Sequence, residues 1–404
     1  MKIRSITTFL NPDWPLDMTA LQSTADFITS AQPAFESAGY QVQTSRLATP
    51  PFPYLLPDCK SKSVCIFAQM LEDAALSLGF DYISIGPALP TFPESFDAIP
   101  DVLGATENVF ASGLMASTKD GISLPAVRAC AEIMRQLTPI DPNGFANLYF
   151  AALANVPPGA PFFPAAYHLD APPIFSLAIE CADLAVTAFS EADNLMDARQ
   201  NLIEALEYHG RILSTVSNLL ADQFPITFGG IDFSLAPFPD VAISLGTAIE
   251  QLGVSAIGTH GSLAAAAFLT DSIDRANFHR TGFSGLMLPV LEDATLAKRA
   301  EEGTLTLKDL LMYSAVCGTG LDTVPLPGDT TAEQISSILL DLAALAQRLE
   351  KPLTARLMPI PGKVAGDRTD FDFPFFANSK VLAVEAASLS GLFAGNESFQ
   401  LKRR

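Results

Sequence analysis

Three short stretches of this chain set reactive side chains among glycines or at the end of an apolar run. In "VCGTGLDT" the thiol of Cys317 is followed by Gly318, Gly320 and Asp322. A thiol becomes a nucleophile or acid catalyst when a positive environment or a helix N-terminus lowers its pKa. No cation stands near Cys317 in the sequence, so the loop also reads as a small buried thiol on a tight helix-to-strand turn. In "IGTHGS" His260 lies between Thr259 and Gly261, with Gly258 before them and Ser262 after. An imidazole there, expected at a strand end just before a helix, would suit general acid–base work or metal ligation near neutral pH. The helix N-terminus, capped by Ser262, would suit a carboxylate or phosphate. A histidine bonded to a neighbouring loop fits the same residues.

In "LPVLEDA" Glu292 and Asp293 stand at the end of an apolar run expected to be a strand. Ligands gather at the carboxyl ends of strands in parallel α/β folds. Adjacent residues of an extended chain face opposite ways, so only one of the two acids serves a given site. Asp293 also suits a helix N-cap. Asp232, in "GGIDFSLAPF", is a carboxylate inside an apolar strand and must be paired or part of a site, because unpaired burial is costly. The last cluster, "RLMPIPGKVAGDRTDFDFPFF", carries Arg356, Lys363, Asp367, Arg368, Asp370 and Asp372. Lys363 between glycines invites a phosphate, yet the spacing is not that of a phosphate-binding loop. The aspartates lack the spacing of a calcium loop. "PPGAPFFPAAYHLD" adds Tyr167 and His168 in a Pro- and Phe-rich piece able to wall a pocket.

The elements that must hold these residues alternate along the chain. "KIRSITTFL", "YQVQTSRLA", "DYISIGPA", "NVFASGLMA", "ANLYFAALANV", "FSLAIEC", "PITFGGIDFSLAPF", "FSGLMLPVL" and "LTARLMPIPG" read as strands, with "VSAIGTHG" as a further short piece. Helical patterns separate them. Such alternation predicts parallel crossovers and an α/β sheet or barrel. About ten strands are more than a compact doubly wound sheet usually holds, which favours barrel-like closure. No Gly- or Ser-rich linker divides the chain, so residues 1–404 are expected to form one large domain with inserted helices and Pro-rich loops.

Apolar residues make up 49% of the chain and charged residues 17%, with a net charge of −20. The charge argues against nucleic acid as a partner, since only the terminal "KRR" is basic. Five scattered cysteines without a CxxC pair argue against a disulfide framework or structural zinc. No apolar run is long enough to span a bilayer, and "MKIRSITTFLNPDW" lacks the features of a signal peptide. The expectation is a soluble, cytoplasmic protein that does not engage membranes. So apolar a chain could form a homo-oligomer. There is no GxGxxG after the first strand, no HExxH and no GxSxG, so common dehydrogenase, zincin and hydrolase patterns are missing.

Longer blocks carry a resemblance. "MKIRSITTFLNP", "ANVPPGAPFFPAAYH", "IDFSLAP", "IGTHGSLAAAAFLTDSI", "FSGLMLPVLEDA", "VCGTGLDTVPLPGDT" and "RLMPIPGKVAGD" resemble, in order, the blocks of domain-of-unknown-function family 711. The resemblance spans nearly the whole chain. It implies a ten-stranded α/β barrel of the pyruvate formate-lyase type. The C-terminal "SLSGLFAGNESFQLKRR" does not resemble a glycyl radical loop. The barrel, and a central thiol at Cys317, are what carries over.

Residues and resemblance together suggest an enzyme acting on a small anionic metabolite inside a barrel. Cys317 would be nucleophile or acid, His260 the base, and Glu292 or Asp232 the orienting carboxylate. Gly258, Thr259, Gly261, Ser262, Asp293, Gly318, Gly320, Asp322 and Lys363 would surround the ligand. Two alternatives stand beside this one: a binding or assembly protein that kept the barrel and lost the chemistry, and a metal-dependent lyase or hydrolase. No cofactor is identified, and no metal ligand set is assigned.

Overall fold

In a computed structural model, residues 1–169 and 171–403 are described. Asp170, in the Pro-rich piece, and Arg404, in the basic tail, lie outside them. The chain opens with β1 (Lys2–Phe9), α1 (Met18–Ser37), β2 (Ser45–Ala48), α2 (Phe52–Leu55), α3 (Ser61–Ser77) and β3 (Tyr82–Ala88). It continues with α4 (Glu94–Ala105), β4 (Val109–Ser117), β5 (Gly121–Ser123), α5 (Leu124–Leu137), β6 (Phe150–Ala154) and β7 (Ile174–Glu180). Next come α6 (Ala182–Ser190), α7 (Leu195–Ala221), β8 (Thr227–Ala236), α8 (Leu245–Gln251), α9 (Ser262–Arg275) and α10 (Ala294–Glu302). The last elements are α11 (Leu307–Tyr313), β9 (Gly320–Pro327), α12 (Ala332–Leu349), β10 (Leu353–Ile360) and β11 (Ser398–Phe399).

Local chemistry explains where these elements begin and which face they bury. Asp17 caps α1 by accepting from the amides of Thr19 and Ala20, and Leu21, Ala25, Ile28, Ala31 and Phe35 line its buried stripe. α7 buries Ala198, Leu202, Leu206, Gly210, Leu213 and Ser217 at three- and four-residue steps. β10 is buried at every position, as a strand covered on both sides must be. One apolar cluster runs from Ile3 to Leu382. No helix among the described residues is long and apolar enough to cross a membrane.

The strands form one sheet in the order β8-β7-β1-β2-β3-β4-β6-β10-β9, with β5 paired to β4 and β11 to β5. The expected parallel crossovers are present, but the sheet is mixed. β1 meets β7, and β6 meets β10, in antiparallel register. Those two seams separate a central parallel block, β1-β2-β3-β4-β6, from flanking parallel pairs at either end.

The sheet is strongly curled. Five strand spacings separate β1 from β10 along the ladder, which is about 24 Å on a flat sheet. Yet Arg4 on β1 and Arg356 on β10 both donate to the same carboxylate, Glu292.

Its two end strands, β8 and β9, do not pair with each other among the described residues, so no continuous ladder closes it. Residues 279–290 run between them. Ile231 of β8 donates its amide to His279 O at 2.8 Å, and the Thr281 amide donates back to Ile231 O at 3.1 Å. At the other end the Val290 amide donates to Asp322 O of β9, and the Gly318 and Thr319 amides both donate to Leu286 O.

Two expected strands are not regular strands. "FSGLMLPVL" makes one isolated bridge, Pro289 to Asp322, because Ser284 has a φ of 38° and Pro289 has no amide to give. "VSAIGTHG" is a turn between α8 and α9, with Gly258 at φ 102° and Gly261 at φ 104°.

Gly285 and Gly318 cross backbone to backbone where residues 279–290 meet the approach to β9. A Cβ on Gly318 would stand 2.9 Å from Gly285 Cα. Gly318→Ala should therefore destabilise the protein by about 1–3 kcal/mol, as overpacking usually does. A urea denaturation curve with unchanged slope and a lower midpoint would show it.

Candidate functional site

Seven strands turn side chains into a single cavity of about 370 Å³. Arg4 comes from β1, Arg46 from β2, Tyr82 from β3, Phe110 from β4, Ile179 from β7, Asp232 and Ser234 from β8, and Arg356 from β10. Met287 and Glu292 reach it from the irregular segment before α10, and Phe162, Phe163, Phe373 and Phe375 from loops. Its volume sits at the small end of the range for ligand pockets.

Glu292 is the central acid and is 3% exposed. Its Oε1 accepts from Arg356 Nη2 at 2.8 Å, and its Oε2 accepts from Arg4 Nη2. Burial alone would raise its pKa, but the charges of Arg4 and Arg356 outweigh burial and hold it below the ordinary carboxylate range. Arg356 also donates from Nε to Asp322 Oδ1 at 2.6 Å, while Asp322 Oδ2 is buried without a hydrogen bond. Burial raises Asp322, and the nearby charge of Glu292 adds to that, against the pull of Arg356. Two arginines thus answer two carboxylates.

Arg46 is the third guanidinium and differs from the other two. Its Nε donates to Thr44 Oγ1 at 2.9 Å, and its Cζ stands 5.1 Å from the Phe163 ring centre and 5.7 Å from that of Tyr82. Among the described residues no carboxylate pairs with it. Burial, with Arg4 beside it, pushes its pKa down to about 9, which still leaves it a cation at neutral pH. It is half-buried and lines the cavity.

Asp232 forms the opposite polar patch. Its carboxyl accepts from the amides of Phe283 and Ser284, both at 2.9 Å, and from Ser234 Oγ. A Cβ at Gly282 would overlap that carboxylate, so only glycine lets the turn wrap it. Burial raises the pKa of Asp232, and the three donors offset part of the rise.

The remaining residues singled out in the sequence lie elsewhere. Cys317 is buried in the main apolar core, and its carbonyl accepts from Lys351 Nζ. His260 is exposed and lines a separate hollow with Val254, Gly261 and Phe268. No hydrogen bond or ring contact joins the two among the described residues. Gly258 packs where a Cβ would overlap the Thr304 carbonyl, and Gly320 likewise against Thr354. Thr259 Oγ1 donates to Ala256 O at 2.6 Å. The N-cap of α9 is Gly261, not Ser262; Ser262 Oγ instead accepts from the Gly258 amide at 3.1 Å and donates to Thr259 O at 2.7 Å. That hydroxyl is drawn back into the turn that precedes the helix.

Asp293 faces away from Glu292. It caps α10 through the amides of Thr295 and Leu296, and also receives Ser244 Oγ and the amides of Leu245 and Gly246 at the start of α8. Lys363 pairs with Asp370 at 3.7 Å beside an outer hollow. Tyr167 donates to Val156 O, and burial pushes its pKa to about 12. Among the described residues no group of three or more His, Cys, Asp or Glu side chains is placed to hold a metal ion.

A carboxyl held below its ordinary pKa stabilises the fold at pH values above the unfolded value of about 4.3. That stability goes as pH falls through the depressed folded value. Glu292→Gln should therefore cost about 3 kcal/mol near pH 7, because Arg4 loses its carboxylate partner and the buried Arg356 keeps only Asp322. The gap from wild type should shrink in acid, which urea denaturation at a series of pH values will read.

The family model described as "Uncharacterised ACR (DUF711)" matches residues 1–378. A UPF0210 protein of Pyrobaculum aerophilum is 33% identical over 366 residues, covering 85% of this chain and 80% of the relative. One from Neisseria meningitidis serogroup C is 30% identical over 368 residues, covering 86% and 80%. One from Methanococcoides burtonii is 30% identical over 349 residues, covering 82% and 77%. With the family model matching residues 1–378 and relatives of 30% identity or more covering most of both chains, this chain belongs to the DUF711 family of uncharacterised proteins.

Proposed function

We propose that this protein binds a small organic anion in the arginine-lined cavity, inside a ten-stranded barrel, with Asp232 as the acid–base group for chemistry on the bound molecule. The barrel reading is supported by strand direction. Residues 279–290 bridge in parallel to both β8 and β9. Counted as a tenth strand, they complete a second parallel block, β7-β8-(279–290)-β9-β10, to match β1-β2-β3-β4-β6.

The observation that carries the anion reading is Arg46. A guanidinium away from bulk water is normally answered by a carboxylate, since isolated charge is expensive to bury. Here Glu292 and Asp322 are committed to Arg4 and Arg356, and Arg46 turns its charge to an open volume. A bound anion is the missing counter-charge. Asp232 suits proton transfer because burial favours its neutral form while Ser234 and two amides keep it oriented.

A catalytic pair of Cys317 and His260 has less support, since one is buried in the core and the other is exposed beside a different hollow. A metal-dependent reading has less support for the same reason: His260 stands apart from Asp232, Glu292 and Asp293. A purely binding role is the second reading. It is favoured by the full engagement of the Asp232 carboxyl, which a structural clamp would also show.

Arg46→Met should melt about as high as wild type, because it removes a buried charge that has no paired carboxylate among the described residues, at the loss of its ring contacts. It should also lose any stabilisation that small organic anions give to the wild-type protein. Thermal unfolding of both proteins with and without a panel of such anions will decide it. A wild-type response that persists unchanged in the variant would sink the reading.

A further inference from the structure

The cavity combines one guanidinium without a carboxylate partner and a set of aromatic rings. Arg46 lines it, with its Nε occupied by Thr44 Oγ1 at 2.9 Å and its two Nη groups meeting no carboxylate among the described residues. A guanidinium that offers its end in this way matches the two oxygens of one carboxylate. Aromatic rings stand beside this guanidinium, with Arg46 Cζ 5.1 Å from the Phe163 ring centre and 5.7 Å from that of Tyr82. Phe110, Phe162, Phe163, Phe373 and Phe375 all line the cavity, joined by Tyr82. These rings are braced against one another and their neighbours. Phe110 meets Phe163 at 5.3 Å and Tyr82 at 5.4 Å, both edge-on, and Phe162 meets Phe283 at 5.6 Å in the same way. Such a wall is already formed, and water is a poor occupant for it.

The charges limit the guest further. Arg4 and Arg356 are matched by Glu292 and Asp322. The Asp232 carboxyl is taken up by the Phe283 and Ser284 amides and by Ser234 Oγ. Asp81 is exposed at the rim, where it accepts from the Ser45 amide at 2.7 Å. Of the three guanidinium groups that line the cavity, Arg46 is the one with no carboxylate partner among the described residues. A guest with a single negative charge balances it, whereas a phosphate ester or polycarboxylate would bring a second negative charge with nothing to meet it.

We propose that the ligand is a monocarboxylic acid with a flat, preferably aromatic, body: its carboxylate on the Nη end of Arg46, its ring against the Phe162, Phe163 and Phe110 wall, under Phe373 and Phe375. This rests on the anion reading given above and narrows it to a class. Phe373 and Phe375 belong to a loop with partly exposed rings, stitched at its base by Asn378. Asn378 Oδ1 accepts from the Phe371 amide at 2.8 Å, and its Nδ2 donates to Phe371 O at 3.0 Å. Phe373 is partly exposed and packs on the edge of the small cluster around Phe371 and Phe376, so a variant there is read together with its unfolding curve.

Isothermal titration of the full chain with benzoate, phenylacetate and phenylpyruvate, against acetate and inorganic phosphate, tests it. At least one aryl acid should bind ten times more tightly than acetate or more, and phosphate should not displace it. Arg46→Met should weaken the aryl acid by about ten- to a hundredfold, the range of one charge-assisted pair. Phe373→Ser should weaken the aryl acid severalfold and leave acetate unchanged. Acetate or phosphate binding as tightly as every aryl acid, with loss in Arg46→Met, would overturn the class and leave the anion site standing. No binding of any of the five to the folded wild-type protein would overturn both.

Discussion

The carboxylate of Glu292 is the tie on which the rest of this structure depends. It takes one guanidinium from β1 and another from β10, strands that a flat sheet would hold far apart. Its three charges satisfy one another only if the sheet rolls until those strands face. The curl brings the inner faces of β1, β2, β3, β4, β7, β8 and β10 around one cavity. A buried ion cluster of this kind contributes little net stability over a well-packed apolar core. What it does contribute is geometry, since few other arrangements of the sheet would leave Arg4 and Arg356 paired.

The surplus in that cluster gives the cavity its character. With Glu292 and Asp322 committed, Arg46 is a cation held between aromatic rings and unanswered by a carboxylate. The cost of leaving it so is borne by the surrounding packing, as is common where a site is kept ready for a ligand. Asp232 belongs to the same logic on the other side of the cavity. Its carboxyl is wrapped by a turn that only glycine at 282 permits, and that turn begins the segment linking the two end strands of the sheet. The site and the segment between the end strands therefore share residues.

Much of the strand order along the chain was legible from alternating apolar runs, and β1, β3, β4, β7, β8 and β10 fall where the pattern places them. The antiparallel seams were not, because direction within a sheet is decided by contacts far apart in sequence. The irregular path of 279–290 was masked by its apolar residues, which look like a strand while Ser284 and Pro289 interrupt the ladder.

In the site, Asp232 stood out as a charge inside an apolar strand. The same signal was available for Arg4 in "KIRSITTFL", Arg46 in "TSRLA" and Arg356 in "LTARLMPI", and it would have gathered the guanidinium cluster. Cys317 and His260 drew attention through their flanking glycines. Several of those glycines serve close backbone crossings, Gly318 over Gly285 and Gly320 against Thr354, a packing role that sequence spacing alone does not separate from a ligand loop.

The central claim is that Arg46 is an unpaired cation facing an open, anion-accepting volume. A crystal grown or soaked in bromide, with data collected at the bromine absorption edge, tests it directly. The account predicts an anomalous peak inside the cavity at hydrogen-bond distance from the Nη atoms of Arg46. A guanidinium found paired to a carboxylate, with no halide beside it, would contradict the account.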